Sequence, residues 1–98
     1  MQKINSRTAY VTATSKGFGG CAKHGKSIRY FYYYKGKRYD DKYCISSATY
    51  NRCKSNGYAR RYTYLKPFEI EIRIDSLNPE LSVLDPSTLC LVDRANLE

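Results

Sequence analysis

The sequence predicts a mainly β protein, either a small antiparallel sheet or a partly open β-barrel of five to six strands, with at most one short helix. Residues 68–75 alternate four apolar with four charged side chains, which is the period of a strand with one solvated face. Residues 27–45 are dense in tyrosine, which fits the pleated surface of a sheet, and they contain a single glycine. These two segments define the fold class.

The N-terminal elements follow from local patterns. Residues 8–14 alternate alanine and valine with tyrosine and threonine, which predicts a first strand. Residues 15–26 contain four glycines and three lysines, and we expect a loop there because glycine loses the most backbone entropy on folding. Residues 27–35 form the next strand, with one face made of Ile28, Tyr30, Tyr32 and Tyr34.

The remaining elements have weaker signals. Lys35-Gly36-Lys37 suits a tight turn of a hairpin whose second strand is 38–45, with Tyr39, Tyr43 and Ile45 on one face. Residues 46–56 predict the one short helix, because serines can cap its start and Asn56-Gly57 can end it. Residues 58–65 are strand-like with mixed faces. After 68–75 the chain is expected to turn over residues 76–79, where Pro79 fixes φ, and to form a short last strand at 81–84.

The 98 residues fit one domain, with a core over about residues 8–85 and a C-terminal tail at 86–98. Asp85-Pro86 breaks the last strand, and we expect the tail to be loosely held and to dock through Leu89, Leu91 and Val92. Leu97-Glu98 resembles a vector-derived remnant, in which case a natural signal or anchor was removed. No stretch of the sequence approaches the roughly 18 apolar residues of a membrane span.

Charge is distributed unevenly along the chain. Residues 1–66 carry fifteen Lys and Arg against two Asp, whereas residues 67–98 carry two Arg against seven acids, so the net charge of +8 is the sum of +13 and −5. All eleven tyrosines lie in the first part. We therefore expect one face of the fold to be basic and aromatic and another to be acidic.

Cys21, Cys44, Cys53 and Cys90 are predicted to form one or two disulfides, with three pairings left open. Four reduced thiols in a cytoplasmic protein are the alternative. A zinc site of three cysteines with His24 is disfavoured, because Cys44 and Cys53 are too far apart in sequence and Cys90 is left over. Cys21 and His24 also lack an orienting carboxylate nearby, so we expect no enzyme, no metal and no cofactor.

The functional signal is an interleaving of basic and aromatic residues. On the hairpin and the segment after the helix these residues are Arg29, Tyr33, Lys35, Lys37, Arg38, Arg60, Arg61 and Tyr62. Lysine and arginine neutralise phosphates while tyrosine rings stack on bases, so a domain that binds single-stranded nucleic acid is one hypothesis. Strand propensity alone also explains the tyrosines, and a basic surface equally suits an anionic lipid or an acidic partner. Asp40 and Asp41 are expected on opposite faces of their strand, where they either blunt the exposed side of the hairpin or offset Lys37 and Arg38.

Two short motifs give a resemblance to a family. Tyr32, Tyr34, Gly36, Lys37 and Tyr39 form a Tyr-containing strand, a Gly-Lys turn and a Tyr, and Asn78, Pro79, Ser82 and Leu84 form Asn-Pro-x-x-Ser-x-Leu. Over about residues 28–85 the chain resembles a family of bacterial cell-envelope domains of unknown function. It departs from them at Lys66-Pro67, where such domains have a Gly-Asp turn, and in having extra cysteines.

The resemblance implies a compact β-domain with no known catalytic residues, attached to other envelope components. The leading hypothesis is therefore a non-enzymatic, envelope-associated binding or structural domain outside the cytoplasm. Its partner would be a protein, which could pair with an exposed sheet edge, or an anionic envelope surface. The alternative is a nucleic-acid-binding β-domain, which could also be cytoplasmic.

Overall fold

The computed structural model describes residues 8–22, 25–59 and 66–91. Its five strands and one helix follow one another along the chain as β1 (Thr8–Cys21), β2 (Gly25–Tyr34), β3 (Lys37–Ile45), α1 (Ser47–Ser55), β4 (Glu69–Asp75) and β5 (Asn78–Leu84). A short 3₁₀ helix follows at Pro86–Thr88. The prediction of a mainly β fold with one short helix is confirmed. No helix in the described ranges is long and apolar enough to cross a bilayer.

All five strands form one antiparallel sheet in the order β3-β2-β1-β4-β5. The sheet curls until its two edge strands meet, so that the Ser82 hydroxyl on β5 donates a hydrogen bond to the Asp41 carboxylate on β3. Tyr32 on β2 reaches the same edge, where its hydroxyl donates to the Pro79 carbonyl at 2.6 Å. Side chains therefore join the edges of a nearly closed, barrel-like sheet.

The inside of the sheet is the hydrophobic core. On β2 the side chains of Ile28, Tyr30 and Tyr32 are fully buried, as their alternation predicts. Every second residue of β4 is also buried, and the rings of Tyr32 and Tyr39 stack across β2 and β3 with centroids 5.5 Å apart. The other buried core side chains are Ala13, Ile45, Cys53, Tyr58, Ile70, Ile72, Ile74, Leu84, Leu89 and Cys90. Most of the tyrosines that distinguish the sequence thus serve the core.

The predicted turn and helix are confirmed. Lys35 and Gly36 both have positive φ, 52° and 81°, which is the geometry of a two-residue hairpin turn whose twist matches the strands. Ser46 caps α1 by accepting a hydrogen bond from the Thr49 N–H at 3.1 Å. The helix ends at Ser55 and Gly57 follows with φ of 84°, a conformation that glycine adopts without steric cost.

Helix α1 holds the segment that follows β5. The Arg52 guanidinium donates to the carbonyls of Leu89 and Pro86 at 2.8 and 2.7 Å, and the Asn56 amide donates to the Cys90 carbonyl. Leu89 is buried, whereas Leu91 is 61% exposed. The prediction of a loosely held tail is wrong for residues 86–90, and docking through Leu91 is wrong as well; Val92 lies outside the described residues.

The predicted loop at residues 15–26 is wrong. β1 continues to Cys21, only Ala22 is described in the connection, and β2 begins at Gly25. The glycines stay in strand conformation because β2 pairs with them, with Gly19 opposite Ser27 and a register shift between Ser15 and Gly17. Such a bulge places one extra residue in a strand, and Gly17 adopts its positive φ of 134° there. Tertiary pairing here outweighs the low strand propensity of glycine.

Two further predictions need correction. Tyr58 and Ala59 are not in a strand, and the rest of the predicted strand at 58–65 lies outside the described residues. The turn predicted over residues 76–79 is confined to residues 76–77, and the last strand begins at Asn78 instead of residue 81, so that Pro79 lies inside β5. Proline is tolerated because β5 is an edge strand, where a missing N–H costs the ladder nothing.

Candidate functional site

The outward side of β2 and β3 carries a cluster of charged side chains. The hairpin register places Arg29 opposite Lys42, Phe31 opposite Asp40, and Tyr33 opposite Arg38. Lys16 on β1 adds a fourth cation by bonding Asp40. We call the outward cations the basic face; they are Lys16, Arg29, Arg38 and Lys42.

Asp40 organises half of the basic face. Its carboxylate accepts from Arg38 Nε at 2.8 Å and from Lys16 Nζ at 2.7 Å. The hydrogen bond from Arg38, followed by that from Lys16, holds the pKa of Asp40 well below its usual range, and Asp40 in turn raises the pKa of Arg38. The Arg38 guanidinium also lies over the Phe31 ring at 4.1 Å. The ion pairs with Asp40 therefore hold Lys16 and Arg38 in place, and the Phe31 ring adds a contact to Arg38.

The cations of the other half of the basic face, Arg29 and Lys42, are not held by a described carboxylate. Arg29 and Lys42 lie directly opposite each other on paired strands, and neither forms an ion pair with any described residue. Like charges placed opposite each other in a sheet destabilise it. Since Asp40 is already bonded to Lys16 and Arg38, these two cations are available to an anion from outside the protein.

A shallow trough of about 440 Å³ runs between these side chains. Its floor includes Gly19 and Gly20, which have no side chains, and a Cβ added at Gly19 would lie 3.6 Å from the Arg29 Cδ. The stem of Arg29 therefore rests over the glycine strand while its charged end stays exposed. Lys16, Asp40 and Lys42 line the sides. The trough is open and carries a net positive charge, because the three cations of Lys16, Arg29 and Lys42 outnumber the two carboxylates of Asp40 and Asp41 in its lining.

The structure brings only some of the residues predicted as a surface together. Arg29, Tyr33 and Arg38 share the outward face. Lys35 lies in the turn and Lys37 at the end of β3, in contact with the Tyr34 and Tyr39 rings respectively, so both are at the hairpin tip and away from the trough. Arg60, Arg61 and Tyr62 lie outside the described residues. The prediction missed Lys16 and Lys42.

The aromatic part of the predicted surface is smaller than expected. Tyr30 and Tyr32 are buried, and Tyr39 and Tyr43 are half-buried on the same inner side. On the outward side of the hairpin, Tyr33 is 58% exposed, whereas Phe31 is half-buried beneath Arg38. The outward face of the hairpin therefore offers mostly charge, with one well exposed ring for stacking.

The four cysteines are placed in two pairs at disulfide distance. Cys21 at the end of β1 joins Cys44 on β3, with Cα atoms 5.8 Å apart, and Cys53 in α1 joins Cys90, with Cα atoms 5.0 Å apart. These pairs use every cysteine. Within the described ranges, no three potential metal ligands lie close enough together to hold an ion, and His24 is outside those ranges.

Comparisons with protein-family models, curated proteins and solved structures found no match to this chain. Its class therefore rests on its own geometry, which is a small barrel-like β fold with two cysteine pairs and a basic outward face.

Proposed function

We propose that this chain is a non-enzymatic, envelope-associated binding domain whose basic face contacts an anionic surface. The observation that carries the proposal is the Arg29–Lys42 pair, two cations that lie opposite each other on paired strands and form no ion pair with any described residue. The repulsion between two facing cations lowers the stability of the free protein, and a bound anion removes this repulsion. The net charge of +8 would add long-range attraction to an anionic surface.

Two features support the envelope as the location. Two disulfides are typical of proteins outside the reducing cytoplasm. The two motifs on which the expected resemblance to envelope domains rests come together in the fold, where the Tyr32 hydroxyl donates to the carbonyl of Pro79 and Ser82 lies on the same edge strand. A signal peptide, a lipobox or a membrane span in the natural reading frame would support this location, and a purely cytoplasmic start would contradict it.

Co-sedimentation with lipid vesicles tests the binding. We expect the protein to bind vesicles that contain phosphatidylglycerol, to release them as salt is raised, and to leave phosphatidylcholine vesicles unbound. Equal binding to both kinds of vesicle, or no binding to the anionic kind at low salt, would refute the proposal.

Single-stranded nucleic acid is the second candidate, and exposed Tyr33 opposite Arg38 favours it. One ring can stack on one base while the neighbouring cations contact phosphates. This hypothesis predicts that an oligonucleotide binds with an affinity that falls steeply with salt and drops further in Tyr33→Ala. The absence of oligonucleotide binding at about 50 mM salt would eliminate it.

A further inference from the structure

Among the residues that the structure describes, part of the β4 edge has no strand beside it. β4 pairs with β1 over residues 69–75 but with β5 only from Ile72 onward. The Ser15 N–H donates to the Phe68 carbonyl at 2.8 Å. This bond shows which alternate residues of β4 exchange backbone hydrogen bonds with β1. By the antiparallel alternation, Ile70 turns its backbone groups toward β1, whereas Glu69 and Glu71 turn theirs to the other side. No β5 residue lies opposite these two glutamates.

The end of β5 explains this opening. Asp85 would be the next residue to pair, opposite Glu71, since Leu84 is opposite Ile72. Instead the Asp85 carbonyl accepts hydrogen bonds from the Thr88 N–H and hydroxyl at 3.1 and 2.8 Å. Pro86 then starts the 3₁₀ helix, and the chain leaves the sheet. β5 therefore stops pairing with β4 after Leu84 because the chain turns away toward α1.

A groove of about 700 Å³ lies along this edge. Its apolar lining consists of side chains from β4 and from the segments beside it, namely Tyr58, Phe68, Ile70, Ile72, Val83, Leu89 and Leu91. Three carboxylates, those of Glu69, Glu71 and Asp85, also line the groove, against the single cation of Arg73. Hydrogen bonds from the Ser87 hydroxyl and N–H lower the pKa of Asp85 and keep it charged.

We propose that this groove, here called the β4-edge groove, binds an extended peptide segment of a partner protein in which apolar and basic residues alternate. The backbone of the peptide would pair with Glu69 and Glu71 as an added antiparallel or parallel strand. Because successive side chains of a strand point to opposite sides, one set would enter the apolar lining and the other would meet the carboxylates. The three carboxylates of the groove favour a partner segment with basic residues.

This interaction is distinct from the proposed binding of an anionic surface, since it uses β4 and the 85–91 segment instead of β2 and β3. The two faces have opposite charge, so one chain could contact an anionic surface and a basic peptide at the same time. Failure of either experiment leaves the other proposal intact.

The probe is a short, fluorescently labelled peptide of alternating lysine and valine, blocked at both ends, with binding followed by fluorescence anisotropy. We expect it to bind, and the matching glutamate–valine peptide not to bind. Two further peptides carry N-methyl groups on one or the other alternate set of amides. Only the set that faces β4 donates to the edge, so one of the two should lose binding and the other should keep it.

Protein variants localise the site. Glu71→Lys should weaken binding by about tenfold or more, because it places a cation where the peptide's lysines lie. Glu80→Lys is the matched control, since it makes the same charge change on β5 at a residue outside the groove, and should change the affinity by less than about twofold. Equal binding of both N-methylated peptides, or no binding of the lysine–valine peptide, would overturn the proposal.

Amide hydrogen exchange gives a readout that does not depend on the label. In the free protein the Glu71 amide should exchange faster than those of Ile70 and Ile72, which donate toward β1. Addition of the lysine–valine peptide should slow exchange at Glu71 specifically. An unchanged Glu71 rate at saturating peptide would show that the peptide does not pair with this edge and would refute the proposal.

Discussion

The Tyr30 hydroxyl lies 2.8 Å from the Ser82 hydroxyl, although 52 residues separate them in the sequence. Ser82 gives its own proton to the Asp41 carboxylate, so Tyr30 is the donor in this chain of hydrogen bonds. The chain runs from the centre of β2 to both edge strands. These hydrogen bonds form a polar link between β2 and the two edge strands, at the place where the edges of the barrel meet.

Tyr30→Phe should destabilise the fold by about 1–2 kcal/mol, because it removes the donor to the half-buried Ser82 hydroxyl. Tyr33→Phe is the matched control, since it deletes the same hydroxyl from an exposed ring, and should change the free energy of unfolding by less than about 0.5 kcal/mol. Urea unfolding with the disulfides intact measures both. Equal effects of the two variants would contradict the assigned role of Tyr30.

Stability should fall as the solution becomes strongly alkaline. Burial raises the pKa of Tyr30 to about 12 and also raises the pKa of Tyr32. A tyrosine whose folded pKa lies above its unfolded value near 10 holds its proton more tightly when folded. Its stabilising contribution is complete below about pH 10 and is lost as the pH rises from about 10 to about 12.

Urea midpoints measured across this pH range test the alkaline loss. We expect Tyr30 to account for about 1–2 kcal/mol of it, once the partial solvation of the polar link is allowed for. Tyr30→Phe should show a correspondingly shallower decline. A decline of the same steepness in the variant would assign the effect to other groups, such as the lysines.

The cysteine pairs should contribute more to stability than any single hydrogen bond. Loops closed by bonds 23 and 37 residues apart in sequence are expected to add about 3–4 kcal/mol each by restricting the unfolded chain. Cys53→Ala/Cys90→Ala should show this loss in urea unfolding. Thiol titration of the unreduced, denatured protein should find no free thiol, and four free thiols would refute both bonds.

Removing the facing cations should weaken binding without weakening the fold. Arg29→Gln/Lys42→Gln should reduce binding to phosphatidylglycerol vesicles, while the free energy of unfolding stays constant or rises by about 0.2–1 kcal/mol as repulsion disappears. Lys35→Gln/Lys54→Gln removes the same charge elsewhere on the surface and serves as the control. Equal loss of binding in both variants would indicate a general charge effect instead of a site.

Much of the hairpin could be predicted from the sequence. The alternation of Ile28, Tyr30 and Tyr32 gave the buried face, and the two-residue turn at Lys35-Gly36 fixes the register of the strands that it joins. Counting back from that turn pairs Arg29 with Lys42. The sequence therefore contains the signal for Lys42, which the interleaving of basic and aromatic residues does not reveal by itself.

Other features depend on contacts that local patterns do not encode. The glycine-rich half of β1 is a strand because β2 pairs with it, and the position of Lys16 depends on the register shift beside it. The role of Arg52 is also nonlocal, since its guanidinium bonds carbonyls more than thirty residues away. Neither the glycine content of β1 nor the helix propensity of α1 predicts the pairing with β2 or the hydrogen bonds of Arg52.

The order of the cysteine pairs has a consequence for synthesis. The first cysteine joins the second and the third joins the fourth, so the two covalent loops follow one another along the chain and do not interlock. An oxidant that joins cysteines in their order of emergence from a translocation pore would reach the native pairing with no reshuffling step. For a chain exported as proposed above, we expect pulse alkylation to trap a species with only Cys21–Cys44 closed, and a non-native Cys44–Cys53 intermediate would contradict this order.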